Sequence, residues 1–91
     1  VGGATAVALA SVLADLAKTH QVIVVTHLAQ VAVAADVHYV VRKTQGDVPE
    51  TSLSVVSGEE RAFEIARMLS GDVTETSLAH AREMLHNASS E

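Results

Sequence analysis

One histidine of this chain lies where α/β proteins place ligand chemistry. Residues 21–26 form an apolar, β-branched run with the length of a buried parallel strand, and His27 follows directly. Ligands of open α/β sheets bind at the carboxyl ends of the strands. An imidazole there can donate a hydrogen bond to a phosphate oxygen and can change charge near neutral pH. His27 is therefore the leading candidate for a residue that binds a ligand. The alternative is a histidine that only caps the strand by bonding to a backbone carbonyl.

Two glycines at the start of the chain are a weaker candidate. Gly2 and Gly3 could let the backbone approach a phosphate closely. Two glycines also make an ordinary tight turn, which their spacing alone favours. The sequence holds no G-x-x-x-x-G-K-[ST] phosphate loop. We therefore expect that the chain cannot bind a nucleoside triphosphate in the P-loop manner by itself.

The other titratable residues predict neither a metal site nor nucleophilic catalysis. His80 and His86 lie six residues apart, which puts them on different faces of a helix. His20 and His38 have no partner at ligand spacing, so we expect no metal ligands. Three carboxylates are most simply explained as one solvated helix face: Glu59, Glu60 and Glu64.

Composition limits the size and the class of the protein. The 91 residues allow at most one small domain, and the apolar fraction of 48% excludes a disordered tail. The net charge is −5, so the chain carries no basic footprint for nucleic acid. Cysteine is absent, which excludes a disulfide framework and a thiolate metal site. We find neither a secretory signal nor an apolar span of about 20 residues, and we expect a cytoplasmic protein without a membrane partner.

The first half of the chain predicts part of a parallel α/β unit. A helix is predicted over residues 4–19, apolar nearly all round, and it should be buried on most sides. The strand over residues 21–26 follows, and a short helix is predicted over 28–35. A helix followed by a strand is half of a βαβ unit. Because the chain opens on Val1 without methionine, we expect the preceding strand and the rest of the site to lie upstream.

The second half predicts a hairpin followed by two helices. Alternating residues predict strands over 36–43 and 51–56, which should pair antiparallel around a turn at 44–50. Ser57 and Glu60 have the spacing of a capping box, which should start a helix that ends at Ser70 with Gly71 as its C-terminal cap. A last helix is predicted over 76–86, and residues 87–91 should form a frayed tail.

Three segments resemble one family in the right order along the chain. Residues 24–32, VVTHLAQVA, resemble the H-loop of the RecN family of bacterial DNA-repair ATPases, which are relatives of the SMC proteins with an ABC-type ATPase head. The family typically has V-T-H-L-P-Q-V-A there, so Ala29 replaces the usual proline. The segments EIARMLSG at 64–71 and TSLAHAREML at 76–85 are similar to the family's C-terminal signature. In addition to these three segments, the shorter stretch Val1, Gly2 and Gly3 resembles the end of its D-loop.

The resemblance implies a fold, a site and partners. The fold would be α/β, the C-terminal lobe of an ABC/SMC-type P-loop ATPase head, an incomplete sheet with flanking helices that spans residues 1–91. His27 would be the catalytic switch histidine on the γ-phosphate of ATP. Val1, Gly2 and Gly3 would lie near the nucleotide at the interface of a head-to-head homodimer. ATP and Mg²⁺ would be bound mainly by residues outside this chain, and the whole protein would act on DNA in the nucleoid.

Two alternatives come from other classes. The first is a fragment of another ABC/SMC-type ATPase, such as a transporter subunit, which a long coiled coil upstream would exclude. The second is a stand-alone, non-enzymatic α/β interaction module. A cooperative thermal transition of the 91-residue chain, without exposed apolar surface, would favour that module.

Overall fold

A computed structural model describes residues 2–89 as a small α/β domain. The described elements follow the order α1, α2, β1, β2, α3 and α4. Their bounds are α1 Gly3–Leu16, α2 Ala29–Ala32, β1 His38–Lys43, β2 Thr51–Val56, α3 Gly58–Ser70 and α4 Glu75–Ser89. The helices pack in succession, α1 on α2, α2 on α3 and α3 on α4, while the two strands pair with each other. The predicted α/β class is thus confirmed.

The predicted strand over residues 21–26 is wrong within the described part of the chain. Residues 21–26 are irregular and belong to no sheet. A strand is defined by a neighbour that pairs with its N–H and C=O groups, and no segment of residues 2–89 supplies one here. Ile23 is 85% exposed and Val25 is 99% exposed as a result. The apolar pattern is correct, but the burial that it predicts does not occur.

Helix α1 differs from its prediction in the same way. It ends at Leu16 and is shorter than predicted, because residues 17–19 form a turn closed by bonds from Lys18 and Thr19. Only Ala6 and Ala10 are buried. Four larger side chains remain exposed: Val7, Leu9, Val12 and Leu16. The expectation that this helix is buried on most sides is therefore wrong for residues 2–89.

The predicted antiparallel hairpin is confirmed. β1 pairs with β2 so that Tyr39 faces Val55 and Val41 faces Leu53. The loop is closed at its base, because the Thr44 N–H donates to the Glu50 carbonyl at 2.8 Å. One face of the hairpin contributes Val40 and Val56 to the interior. The other face carries four exposed apolar side chains: Tyr39, Val41, Leu53 and Val55.

The main core lies between α2, α3 and α4. Five buried side chains form it: Ala29, Ala32, Ile65, Ala66 and Ala81. Around them pack the partly buried Val33, Met68, Leu69, Leu78, Met84 and Leu85. Four of the five buried residues are alanines, so the three helices can approach one another closely. Ile65 is the one large side chain that is fully buried among residues 2–89.

The caps of α3 and α4 differ in part from the prediction. Ser57 precedes α3 with extended backbone, but its side chain makes no capping hydrogen bond, so the capping box with Glu60 is not formed. Gly71 ends α3 with φ +79°, the left-handed conformation predicted for it. A reciprocal cap occurs instead at α4, where Thr74 Oγ1 accepts from the Ser77 N–H and Ser77 Oγ accepts from the Thr74 N–H.

The last helix is longer at both ends than the sequence predicts. It begins at Glu75 and continues through Ser89. Residues 87–89, predicted in a frayed tail, are therefore helical, and residues 90 and 91 lie outside the described part. No helix within residues 2–89 has the length and apolar character needed to cross a membrane.

We expect the 91-residue chain to self-associate in isolation, because three apolar surfaces are exposed on it: α1, residues 23–25 and one face of the hairpin. Residues 21–26, which pair with no strand within residues 2–89, add N–H and C=O groups that can pair with another copy. Size-exclusion chromatography with light scattering should show oligomers, and the chain should bind a dye for apolar surface. The doubly substituted variant Ile23→Lys, Val25→Lys should reduce both signals.

A matched control separates this effect from a general effect of charge. Val48 is also exposed but lies in the hairpin loop and belongs to none of the three surfaces. Val48→Lys should leave the oligomers in place. A monodisperse, dye-negative wild-type chain at high concentration would contradict the expectation.

Candidate functional site

The structure places His27 at a bend between residues 21–26 and helix α2. Its side chain is exposed, and no hydrogen bond to it is formed within residues 2–89. The backbone around it is ordered locally, since the Leu28 N–H donates to Thr26 Oγ1 at 3.0 Å. An exposed imidazole without a protein partner can present its N–H to a ligand. The interpretation of His27 as a cap on a backbone carbonyl is not supported here.

Helix α2 connects this bend to the core. It has only four residues, yet Ala29, Val31 and Ala32 are all buried. The Leu28 carbonyl accepts from the Val31 and Ala32 N–H groups, both at 3.1 Å, so the turn begins one residue after His27. Ala29, which stands where the family usually has proline, is buried and is the first residue of α2. The replacement is thus compatible with the helical turn.

Arg61 is a residue that the sequence analysis missed. It lies in the first turn of α3, and its Nη2 donates to the Ala32 carbonyl at 3.1 Å and to the Ala35 carbonyl at 2.8 Å. Its Nε is buried without a partner among the described residues. Burial lowers the pKa of Arg61, and nearby Asp36 opposes that shift. The sequence did contain one signal for it, namely the position of Arg61 near the start of the predicted helix. A cation there interacts unfavourably with the helix dipole, so that it is expected to have a favourable partner elsewhere.

A second polar group of interest, His38, lies at the start of β1 and is influenced by charged side chains of α3. His38 is half-buried with its Nδ1 unpartnered among residues 2–89. Burial lowers the pKa of His38, Arg61 lowers it further, and Glu64 acts in the opposite direction. Glu64 is paired with Arg67 on the same helix, and this bond lowers the pKa of the Glu64 carboxyl. His38 therefore lies among charged groups of both signs.

Two of the three carboxylates predicted on one solvated face have structural partners. Glu64 has a mostly buried side chain, only 12% exposed. Glu59 is exposed but pairs with Arg82, so that a salt bridge links α3 to α4. The hydrogen bond from Arg82 lowers the pKa of Glu59. Glu60 is exposed, as predicted.

The glycines at the start of the chain form no turn. Gly2 is the N-terminal cap of α1 with extended backbone, Gly3 is the first residue of that helix, and neither has a positive φ. The tight turn predicted for them is therefore wrong. Both are exposed, and no hydrogen bond within residues 2–89 joins them to His27. Val1 lies outside the described residues.

Two open clefts occur near the core, and neither is lined by His27, Gly2 or Gly3. One, of about 410 Å³, lies beside Arg61 and Asp36 and reaches the end of α4. The other, of about 450 Å³, lies between α1 and Asp36. The described residues also contain no group of three His, Cys, Asp or Glu side chains that could hold a metal ion. The candidate site is thus a single exposed histidine rather than a formed pocket.

Known proteins resemble this chain over nearly its whole length. It is 52% identical to the DNA repair protein RecN of Deinococcus radiodurans over 86 residues, which is 93% of this chain and 15% of that protein. It is 48% identical to RecN of Mycobacterium bovis over 91 residues, and 47% identical to RecN of Streptomyces coelicolor over 93 residues. These two matches cover 100% of this chain and 16% of each relative. No family model matches the chain.

The chain therefore spans about one-sixth of the length of the curated relatives that it matches. Every relative named above is a DNA repair protein RecN. The three segments that match in order and the sequence identity along the whole chain both indicate the same family. The resemblance predicted from the sequence is confirmed, and the chain belongs to the RecN family.

Proposed function

We propose that this chain is the part of a RecN-type ATPase that supplies the switch histidine, in a protein of double-strand-break repair and recombination. His27 would donate a hydrogen bond to the γ-phosphate of ATP and help to position the attacking water. The observation that carries the proposal is an exposed imidazole without a protein partner, at the end of the apolar 21–26 segment, in a chain of RecN-type sequence.

The chemistry of His27 supports a role in the transition state. Negative charge moves onto the oxygens around the transferred phosphorus as hydrolysis proceeds. A donor aimed at those oxygens gains more in the transition state than in the ground state, and it therefore raises turnover more than it strengthens binding. Among the described residues, His27 is the donor to which the H-loop resemblance gives this role.

The other parts of the site are proposed to lie in the rest of a longer protein. The phosphate loop, the Mg²⁺ ligands and the general base have no counterpart in this sequence. Gly2 and Gly3, with Val1, are proposed to approach the nucleotide at an interface between two heads. DNA is proposed to contact other parts of that protein, because the net charge of this chain is −5. Its place of action would be the cytoplasmic nucleoid.

A chimera tests the proposal directly. In the RecN chimera, residues 1–91 replace the matching segment of the Deinococcus radiodurans RecN protein. We expect the RecN chimera to bind ATP, to release phosphate in the presence of Mg²⁺, and to restore survival after double-strand breakage in cells that lack RecN. The isolated chain should release no phosphate above background and should not bind ATP measurably.

The unchanged Deinococcus protein is the reference for folding and for activity. A chimera that folds and binds ATP like the reference but releases no phosphate would contradict the proposal. Phosphate release by the isolated chain would contradict the expected division of the site between this chain and the rest of the protein.

A further inference from the structure

A contact between distant parts of the chain fixes the segment that follows His27. Arg61 Nη2 donates to two backbone carbonyls, of Ala32 at 3.1 Å and of Ala35 at 2.8 Å. These carbonyls lie 29 and 26 residues before Arg61. The first belongs to the last residue of α2, and the second lies three residues beyond this C-terminal end. Within residues 2–89, Arg61 is the side chain that bonds this end of α2 to α3.

Helix α2 needs such a contact because it is too short to be stable by itself. It has four residues, and isolated helices in water are marginal below about 12 residues. The carbonyls at a helix C-terminus have no partner within the helix, and a cation there interacts favourably with them. Apolar packing of Ala29 and Ala32 on Ile65 adds stability. That packing is not directional, whereas the two hydrogen bonds of Arg61 are.

The position of His27 follows from the position of α2. Only Leu28 separates His27 from this helix, and the Leu28 carbonyl accepts from two N–H groups of the turn. The His27 side chain has no hydrogen bond of its own within residues 2–89 that could orient it. Movement of α2 would therefore move His27 with it.

We propose that Arg61 is a positioning residue that holds α2 and through it sets the place of His27. The catalytic part of this inference rests on the proposed function. A guanidinium suits the task because it stays charged and its donors are fixed in one plane. The shorter lysine keeps the charge but not this geometry. Arg61→Lys should therefore preserve only part of the positioning that Arg61 provides.

The first measurement does not depend on activity. Arg61→Met removes the donors and keeps an unbranched, though shorter, side chain. In the RecN chimera, hydrogen exchange of peptides that cover residues 27–35 should become about tenfold faster. Arg67→Met is the matched control, since Arg67 lies on the same helix and pairs with Glu64 rather than with α2. Unchanged exchange at 27–35 in Arg61→Met would overturn the proposal.

The second measurement asks whether Arg61 acts through His27. Arg61→Met should lower the turnover number for ATP on the order of tenfold, as expected when a catalytic group is misplaced, and leave the Kd for ATP within about twofold. Arg61→Lys should lose about threefold. In a His27→Ala background, Arg61→Met should cause no further loss, because residues that act as a unit are not additive. An equal loss in both backgrounds would overturn the proposal.

The outcomes also separate this inference from the proposed function. Faster exchange together with unchanged turnover in His27→Ala would keep the structural role of Arg61 and reject the role of His27. If Arg61→Met does not fold, Arg61→Lys decides by the same two readouts. Wild-type exchange or wild-type turnover in a folded Arg61→Lys would then overturn the proposal.

Discussion

Replacement of His27 by alanine in the RecN chimera is expected to lower the turnover number for ATP by about a hundredfold. The Kd for ATP should stay within about twofold, because the lost hydrogen bond matters most when charge has moved in the transition state. His27→Gln retains an N–H donor and should be intermediate. Phosphate release under saturating ATP and equilibrium nucleotide binding measure the two quantities separately.

His20 provides the control for this substitution. It is also an exposed histidine, and it lies just before residues 21–26, where its Nδ1 is 2.8 Å from Thr19 Oγ1. His20→Ala should leave turnover unchanged. If His27→Ala has the turnover of the unsubstituted chimera, His27 has no part in the mechanism. If both histidine variants lose turnover equally, the loss is not specific to the proposed switch position.

Truncation of Ile65 should have the largest effect on stability. Ile65 is fully buried, and the alanines around it cannot close the space that its side chain leaves. Ile65→Ala should lower the free energy of unfolding by about 3 kcal/mol, and Ile65→Val by about 1 kcal/mol. A domain of this size has a total of roughly 5–10 kcal/mol, so the alanine variant should be close to unfolding. The free energy of unfolding is measured on the isolated 91-residue chain at low protein concentration, by urea unfolding followed by far-UV circular dichroism.

Ile23 is the matched control, because it is the same residue type at an exposed position. Its side chain is 85% exposed, so Ile23→Ala should change the free energy of unfolding by less than about 0.5 kcal/mol. Similar losses from both substitutions would show that the core does not centre on Ile65.

Local patterns gave the elements that depend on near neighbours. The hairpin was predictable because its apolar residues alternate on both sides of one turn, and the register pairs Tyr39 with Val55. The end of α3 at Gly71 was predictable because a left-handed residue favours glycine. His27 was found at the end of an apolar run. Its role in catalysis is still a prediction.

Contacts over longer distances were not predictable from the same patterns. The apolar residues 21–26 predict a strand, but pairing depends on a neighbour that residues 2–89 do not supply. The capping box was expected at Ser57 and formed at Thr74 and Ser77, because a cap depends on the local backbone as well as on residue type. Helix α1 is a further example, because its apolar pattern predicts burial but does not show whether a partner covers it.

The sequence by itself determined the family, the hairpin and the two long C-terminal helices, and it singled out His27 as the candidate for a phosphate contact. Only the tertiary structure decided which apolar surfaces are buried and which charged side chain holds the segment after His27. Arg61 reaches carbonyls 26 and 29 residues away. A periodic pattern shows which face of an element is apolar, but the partner of that face is fixed only when the elements pack.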